Sequence, residues 1–298
     1  MKLQLVRHAT LLLDYAGMRI LVDPMLSDAG AMSAIQNSPQ PRPNPLVPLP
    51  FPVEQVLDGV QLVLVTHTHR DHWDDAAIQL VPKDLPLLCQ PEDMKKMEAV
   101  HFVNASPVHD MKHWSHICIT RTPAQHGTGE IARAMAPSSG YLLSTAGEPT
   151  LYVTGDTIWY DQVAETIKQN NPQLIVVNAG AAQFLHGDPI TMTAGDVVRV
   201  CRAAPHAQVV AVHMEAINHC LLTREELAQH AQAAGVRLTI PADGETVALG
   251  EEQWICRGKL RTCCRPVRSV ASGEASLSVK SGRDNQRSRI KAPERALV

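Results

Sequence analysis

The sequence predicts an α+β fold in which two β-sheets pack together and carry helices on their outer faces. Residues 1–154 are rich in short apolar runs typical of strands, whereas strand and helix patterns alternate from residue 158 onward. Elements of these two kinds bury their apolar faces as packed layers. Hydrophobic residues make up 45% of the 298-residue chain and charged residues 19%, a composition that suits a globular domain with a substantial core.

The N-terminal elements are predicted to be a hairpin, a long loop, a helix and a strand. Two apolar runs at residues 3–15 and 18–24 flank Ala16-Gly17, which is a turn signal. Residues 38–52 contain seven prolines, which exclude a helix interior or a central strand and therefore predict an irregular loop. Long loops of this kind often carry function. A short helix at 53–59 and a fully apolar, buried strand at 61–67 are predicted next.

Two of the later helices carry capping boxes. Thr193 and Asp196 form one box, Thr223 and Glu226 form the other, and Gly235 supplies a C-terminal stop signal. The other elements follow from apolar periodicity and length. They are helices at 74–81, 92–100 and 158–170, strands at 85–90, 173–180 and 208–215, mostly extended chain at 101–154, and a closing segment at 236–249.

Charge divides the chain into an acidic body and a basic tail. Residues 257–298 hold 11 Lys and Arg against 3 Asp and Glu, whereas the other residues hold 16 against 27. The tail is rich in Ser, Arg and Lys and lacks a periodic apolar pattern, which predicts disorder. We therefore expect one domain over residues 1–250 and a disordered basic tail over 251–298. A solvated tail is the simpler interpretation, with contact to nucleic acid or membrane as the alternative.

Cysteine usage and hydropathy indicate a cytoplasmic protein. The seven cysteines are odd in number and scattered, unlike a disulfide framework, so a reducing compartment is expected. Runs of about 18 apolar residues, which a membrane span requires, do not occur. Arg7, His8 and Asp14 interrupt the apolar N-terminal run, which therefore suits a strand better than a signal peptide. The oligomeric state is left open.

Metal ligands are concentrated in the segment THTHRDHW at residues 66–73, at the end of an apolar strand. Residues two apart in extended backbone point to the same side, so His67 and His69 can share one ion. Asp71 and His72 lie where the chain turns toward the next helix and can face a second ion. Imidazole and carboxylate groups suit zinc. A polar loop without a ligand is the alternative, and the density of ligands disfavours it.

This pattern, H-x-H-x-D-H, resembles the signature of the metallo-β-lactamase superfamily. The resemblance extends over residues 3–250, because TPAQHGTG, TGDT and VVAVHME follow in the order of that family's later motifs. The N-terminal RHATLLLDYAGMRILVDP resembles the branch that includes ascorbate-6-phosphate lactonase and the phosphodiesterases of N-acyl phospholipids. The implied fold is a four-layer αββα sandwich with the metals at one edge of the paired sheets.

Carried over by position, the resemblance implies two metal ions bridged by Asp156, with zinc expected and manganese or iron left open. Two dications about 3.5–4 Å apart can generate a hydroxide nucleophile near neutral pH. Asp71 and Asp156 are thus the predicted catalytic residues. Oxygen-reducing diiron members of the superfamily carry an acidic residue where this chain has His69, so the imidazole favours zinc and hydrolysis. The implied ligands are His67, His69 and His126 for one ion and Asp71, His72 and His213 for the other.

Two of these ligands have competitors nearby in the sequence. His126 and His213 are preferred because each ends an extended apolar segment, as the corresponding ligands of the family do. The competitors are His109, His113 and His116 for the first position and His219 for the second.

Further residues are candidates to support the metal ligands or to contact the substrate. Asp23 is expected either to orient a metal-bound imidazole or to serve the turn before Pro24. His8 is a candidate because the resemblance places a histidine near the site, and His219 is expected to line the pocket or to pack. The remaining candidates are His186, the specificity walls at residues 38–52 and 181–190, and Phe51, Trp73 and Phe184 for apolar contact.

The sequence favours hydrolysis of a small lactone, ester or amide-like molecule. The alternatives are a phosphodiesterase acting on nucleic acid, phospholipid or a small phosphodiester, and a non-catalytic metal-binding protein. Nucleic-acid binding depends on Lys and Arg that neutralise phosphates, and the acidic body offers only Arg70 within the first motif. A basic amphipathic helix for a membrane surface is not evident. The full ligand set disfavours a non-catalytic protein.

Overall fold

The computed structural model describes residues 1–135 and 137–247, so the predicted tail at 251–298 lies outside the described residues. Within those ranges the strands form two sheets. The strands are β1 (Lys2–Arg7), β2 (Thr10–Tyr15), β3 (Met18–Val22), β4 (Leu62–Val65), β5 (Leu87–Cys89), β6 (Ala105–Pro107), β7 (Met111–Trp114), β8 (Ile117–Pro123), β9 (Ser139–Ser144), β10 (Leu151–Val153), β11 (Leu174–Asn178), β12 (Gln208–Val212) and β13 (Thr246–Val247).

Each sheet joins an antiparallel half to a parallel half. The first sheet has the order β13-β1-β2-β3-β4-β5-β6, and its strands from β3 to β6 are parallel. The second has the order β12-β11-β10-β9-β8-β7, and β10, β11 and β12 are parallel. The helices are α1 (Val53–Leu57), α2 (Asp75–Leu80), α3 (Met94–Ala99), α4 (Gly129–Ala134), α5 (Asp161–Asn170), α6 (Ala194–Ala203) and α7 (Arg224–Ala234), with a 3₁₀ turn at Pro91–Asp93. None of these helices is long and apolar enough to cross a bilayer.

Three apolar cores define four layers. The central core lies between the sheets and joins residues such as Leu13 and Leu64 of the first to Val176 of the second. Helices α1, α2 and α3 cover the outer face of the first sheet, and α5, α6 and α7 cover that of the second. The predicted α+β fold and its αββα sandwich are therefore confirmed.

The structure differs from the predicted elements at two places. The first apolar run is two strands, because a turn at His8-Ala9 separates β1 from β2 and His8 has a left-handed φ of 60°. Neither residue is a usual turn former, so the sequence does not reveal this turn. Helix α4 lies within the stretch predicted to be extended. It buries none of its residues fully and its N-cap side chain makes no capping bond, so it lacks the apolar periodicity of a packed helix.

Parallel strands bring their C-terminal ends to one edge of the paired sheets. Asp23 follows β3 and Thr66 follows β4 in the first sheet, while Asn178 ends β11 and His213 follows β12 in the second. Ligands bind at the carboxyl ends of strands in open α/β sheets. The same edge therefore collects the functional side chains.

The proline-rich loop is fastened to this edge by buried polar contacts. Asn218 accepts hydrogen bonds from the Ile35 backbone N–H and from Asn44 Nδ2, at 3.0 and 2.7 Å, and donates to the Gln40 carbonyl at 2.6 Å. Arg7 is fully buried and donates to the Val47 carbonyl at 3.0 Å. These hydrogen bonds thus hold the loop in place, although it has little regular secondary structure.

Arg7→Lys is expected to destabilise the fold by about 2–4 kcal/mol. The guanidinium donates to three carbonyls, those of Val47, Met25 and Ser27, and a hydrogen bond from a charged group contributes roughly 1.5–3 kcal/mol. A lysine keeps the charge but lacks the planar fork that reaches all three. Denaturant unfolding should show this loss, with a change of at most about 0.5 kcal/mol for the partly exposed Arg19→Lys. Equal stability of the two variants would contradict this role.

Candidate metal centre

The H-x-H-x-D-H segment folds as a tight turn between β4 and α2. The His69 carbonyl accepts hydrogen bonds from the backbone N–H groups of His72 and Trp73, at 2.9 and 2.8 Å. Asp74 then caps α2 by accepting from the Ala77 N–H at 2.7 Å. The turn therefore directs Asp71 and His72 back toward the end of β4, where His67 lies.

Three groups of side chains at this edge could each hold a metal ion. Within each group, all the ligand atoms lie within 4.8 Å of one another. The structure brings together all seven residues of the predicted ligand set and adds His8. The groups are His67, His69 and His126; His8, Asp71, His72 and His213; and His67, His72 and Asp156.

The first group presents ring nitrogens to a common point. His67 Nε2 lies 3.0 Å from His69 Nδ1. The other nitrogen of His67 lies 3.1 Å from Thr66 Oγ1, and His126 Nδ1 donates to the Ile190 carbonyl at 2.8 Å. Because these outer nitrogens carry the protons, the inner Nε2 atoms of His67 and His126 are free to bind a cation.

The second group is built in the same way. His72 Nδ1 donates to Asp23 Oδ2 at 2.8 Å, so its Nε2 faces inward, 3.2 Å from His213 Nε2. Asp71 Oδ2 lies 3.4 Å from His213 Nε2 and accepts a hydrogen bond from His8 Nε2 at 3.1 Å. Asp23 thus orients an imidazole of the group, as one of its two predicted roles requires.

Asp156 lies between the two groups. Its Oδ2 is 3.7 Å from His67 Nε2 and 3.2 Å from His72 Nε2, and its Oδ1 is 3.3 Å from His213 Nε2. Asn178 donates to Oδ1 at 2.7 Å and fixes the carboxylate plane. A single carboxylate therefore contacts imidazoles of both groups.

The buried imidazoles have pKa values that are shifted in opposite directions. Burial lowers the pKa of His67 well below its usual range and that of His69 to about 4, so both rings are neutral at neutral pH. Burial would also lower the pKa of His72, but the carboxylates of Asp156, Asp71 and Asp23 outweigh it and raise this pKa to about 10. A proton on His72 thus occupies the place of a cation.

The donor set fits divalent cations. Two pairs of imidazole nitrogens face each other at 3.0 and 3.2 Å, and such a pair repels unless a proton or a cation lies between its members. Burial would raise the pKa of Asp71 and Asp156, yet the neighbouring histidines hold both pKa values well below their usual range. Two ionised carboxylates together with several imidazoles are a suitable donor set for transition-metal ions.

Metal binding is expected to release protons. Because the pKa of His72 is raised to about 10 by the carboxylates, this ring is protonated at pH 7.5, and a metal ion at Nε2 must displace the proton. Apparent metal affinity should therefore rise with pH up to the His72 pKa and fall as the pH is lowered. Calorimetric titrations with metal at pH 7.5 in two buffers of different ionisation enthalpy should give different binding enthalpies. Per chain, the difference should be at least the difference between the two ionisation enthalpies, because at least one proton passes to the buffer. Identical heats would contradict the assignment.

The competing histidines lie elsewhere. His109, His113 and His116 are exposed and belong to none of the three groups. His219 is also outside the groups, although it is 5% exposed and its pKa is lowered by burial to about 4. His186 is exposed on the loop after β11.

The three aromatic side chains predicted to contact the substrate lie in two different surroundings. Trp73 packs edge-on against Phe102 at a ring distance of 5.2 Å, and Phe51 packs against the same outer core of the first sheet. Both side chains thus contribute to the outer core of the first sheet, and their contact with a substrate stays a prediction. Phe184 lies instead beside His219, at a ring distance of 6.0 Å.

Several supporting residues were missed by sequence reasoning. Asn178 orients Asp156, and Thr66 connects His67 to Asp23 by donating to Asp23 Oδ2 at 2.6 Å. Thr68 donates to Asp93 at 2.6 Å and fastens the segment between the two first histidines. These are common polar residues without a motif, and their positions at strand ends were the only available signal.

Known proteins are similar to this chain in sequence and in fold. Residues 18–214 match a family described as the Beta-lactamase superfamily domain. The UPF0173 protein YddR of Bacillus subtilis (strain 168) is 38% identical over 251 residues, which cover 83% of this chain and 99% of that protein. The isothiocyanate hydrolase from Delia radicum gut bacteria, which has a crystal structure, is 39% identical to this chain in sequence. The two structures superpose with a TM-score of 0.80 over 84% of this chain and 99% of that one.

A second solved structure is also similar to this chain. The crystal structure of a possible metal-dependent hydrolase from Veillonella parvula DSM 2008 is 30% identical, with a TM-score of 0.81 over 84% of this chain and 99% of that one. The fold of this chain agrees with those of the two solved structures. The chain therefore belongs to the beta-lactamase superfamily and is a metal-dependent hydrolase of the metallo-β-lactamase fold.

Proposed function

We propose that the protein hydrolyses a small lactone, ester or amide-like substrate at a dinuclear site, with zinc as the metal. The observation that carries the proposal is the contact of Asp156 with imidazoles of both ligand groups. When bound, two divalent ions supply Lewis acidity and lower the pKa of water toward neutrality. The proposed ligands are His67, His69 and His126 on one side, Asp71, His72 and His213 on the other, and Asp156 between them.

The protein's own groups prepare this chemistry. Asp71 and Asp156 stay ionised at neutral pH because the histidines hold their pKa values low. Asp71, held by His8, is placed to orient a water molecule through its carboxylate, although so low a pKa makes it a weak base. Asp156 is held by Asn178 and keeps both ligand groups in register. Preorganised groups of this kind need no rearrangement during the reaction.

Charge supports a small substrate over nucleic acid. Arg70 lies within the first motif but pairs with Asp75 at 2.8 Å, and Lys96 pairs with Asp93 at 2.9 Å. Arg7 is fully buried and occupied by backbone carbonyls. Binding of a polynucleotide would need several free cations along a groove.

Isothiocyanates are a second candidate substrate class. The solved isothiocyanate hydrolase is 39% identical to this chain and is covered over 99% of its length. The chemistry is close to that of carbonyl hydrolysis. Water adds across the carbon–nitrogen double bond to give a thiocarbamate, the remaining carbon–nitrogen bond then breaks, and the products are an amine, whose nitrogen has taken both protons of the water, and carbonyl sulfide. Both classes present an electrophilic carbon to the same nucleophile.

A substrate panel tests the proposal. Zinc-loaded protein should hydrolyse at least one member of a set of lactones, esters, amides and isothiocyanates, and chelation followed by zinc addition should remove and restore the activity. Bis(aryl) phosphodiesters and phosphorylated sugars complete the panel. Activity confined to phosphodiesters would overturn the proposed substrate class and support the alternative of a phosphodiesterase.

We propose that the protein works in the cytoplasm, because Cys89, Cys201 and Cys220 are free thiols, as is usual in a reducing compartment. We further propose that the hydrolase domain spans residues 1–250 and that the basic segment 251–298 has no part in catalysis. A chain truncated after residue 250 should then retain the wild-type kcat/KM.

A further inference from the structure

An apolar surface, here called the apolar wall, lies beside the metal centre. Its members come from the segment between β3 and the proline-rich loop, from α4 and its C-terminal end, and from the loop after β11. Met25 and Met32 are buried, whereas the other four are partly exposed. The apolar wall consists of Met25, Met32, Ile35, Ile131, Met135 and Phe184.

The apolar wall is continuous with the ligand groups. Ile190 and Cys220 belong to the same apolar cluster as the wall. The Ile190 carbonyl accepts the hydrogen bond of His126, and the Cys220 thiol lies 3.6 Å from His213 Nδ1. One cluster therefore touches a ligand of each proposed ion. The apolar wall therefore adjoins the metal centre through the Nδ1 sides of His126 and His213.

His219 adds a polar group to this apolar surface. Its side chain is 5% exposed, its ring lies 6.0 Å from that of Phe184, and its Nδ1 atom is buried without a hydrogen-bond partner. The next residue, Cys220, has its thiol 3.6 Å from Nδ1 of His213, so His219 lies next to the metal centre in the chain. A buried polar atom without a partner is costly, by roughly 1–3 kcal/mol, and often marks a functional site.

His219 is held in place by the residue before it. Asn218 is buried, and its side chain is engaged by the Ile35 backbone and by Asn44 of the proline-rich loop. The backbone N–H of Gln183 donates to the His219 carbonyl at 2.9 Å. These contacts lock His219 to two segments that also carry wall residues, Ile35 and Phe184. The His219 ring is thus positioned by the same two segments that carry Ile35 and Phe184.

We propose that His219 and the apolar wall recognise the substrate, with the wall receiving an uncharged apolar substituent and His219 forming a hydrogen bond to a heteroatom beside the reacting carbon. The wall contains no charged side chain, so it favours an uncharged apolar substituent over a carboxylated or phosphorylated one, whose burial against it would be costly. The inference rests on the proposed function for the reacting group, while the surface itself can be tested without turnover.

Hydroxamate probes test the surface on zinc-loaded, full-length protein. Calorimetry would compare acetohydroxamate, phenylacetohydroxamate and 4-carboxyphenylacetohydroxamate, which share the metal-binding group. We expect the phenyl probe to bind about 10-fold more tightly than the methyl probe, because its ring buries apolar surface, and the carboxylated probe to lose this advantage. Phe184→Ser should remove most of the phenyl advantage and leave the affinity for acetohydroxamate unchanged.

His219→Phe tests the polar contact while keeping a ring. This variant should retain the zinc content of the wild type and bind both uncharged probes about 10-fold more weakly. His230→Phe, which changes an exposed histidine of α7, is the matched control and should bind as the wild type does. Equal or undetectable binding of the methyl and phenyl probes, preference for the carboxylated probe, or unchanged affinity in His219→Phe would overturn the proposal. Loss of zinc in His219→Phe would also overturn it, because His219 would then be a ligand.

The two proposals fail separately. If the phenyl preference and the His219 effect are present but no carbonyl or isothiocyanate substrate is hydrolysed, the recognition surface stands and the proposed reaction falls. If the wild type hydrolyses such substrates and the variants bind the probes as the wild type does, the reaction stands and the recognition surface falls.

Discussion

Asp156→Ala is expected to remove most of the bound metal and to abolish hydrolysis. Asp156 contacts His67, His72 and His213, so its loss opens both ligand groups at once. Loss of a residue that only supports a ligand already lowers metal affinity about 10- to 100-fold, and loss of the bridging carboxylate should cost more than that. Metal analysis should find up to two ions per chain in the wild type and a small fraction of that in the variant.

The control for this variant is Asp161→Ala, which removes an exposed carboxylate at the start of α5. It should keep the metal content and the activity of the wild type. Unchanged, tight metal binding by Asp156→Ala would contradict the bridging role. A similar loss in both variants would point to a general effect of acidic charge.

Asp23→Asn is expected to weaken metal binding about 10- to 100-fold without removing any proposed ligand. The carboxylate accepts from the Thr66 backbone N–H on Oδ1, and from Thr66 Oγ1 and His72 Nδ1 on Oδ2. An asparagine must turn its NH₂ group toward one of these donors in either orientation. The buried donor then lacks a partner, which costs roughly 1–3 kcal/mol, and His72 is no longer held in the tautomer that presents Nε2.

Competition with a coloured chelator measures this effect. Asp84→Asn makes the same chemical change at an exposed position and should bind metal as the wild type does. The Asp23→Asn protein should also unfold at lower denaturant concentration when metal-free, since the unpaired donor is present in either state. Wild-type metal affinity in Asp23→Asn would show that Asp23 serves the turn before Pro24 instead.

The layered fold was predictable because it depends on apolar periodicity, which the sequence displays directly. The buried strand at β4, the capping boxes of α6 and α7 and the hairpin of β2 and β3 all follow from local rules. Helix α4 did not follow, because a helix that packs weakly leaves no periodic pattern. The turn at His8 did not follow either, since a left-handed histidine carries no turn signal.

The metal centre was predictable in part for a similar reason. His67, His69, Asp71 and His72 lie within six positions, so backbone geometry alone brings them together. His126, Asp156 and His213 are far apart in sequence, and their association depends on strand order, for which the family resemblance substituted. Asn178 and Thr66 could not be predicted, because their hydrogen bonds to Asp156 and Asp23 depend on how the strand ends are arranged in the folded chain.

Anomalous X-ray diffraction from crystals of the zinc-loaded protein tests the central claim most directly. Data collected on either side of the zinc absorption edge should show two peaks about 3.5–4 Å apart at the shared edge of the sheets, with Asp156 between them. One peak should lie among His67, His69 and His126 and the other among Asp71, His72 and His213. The absence of zinc from this edge, or binding only at the exposed histidines near β7, would contradict the account.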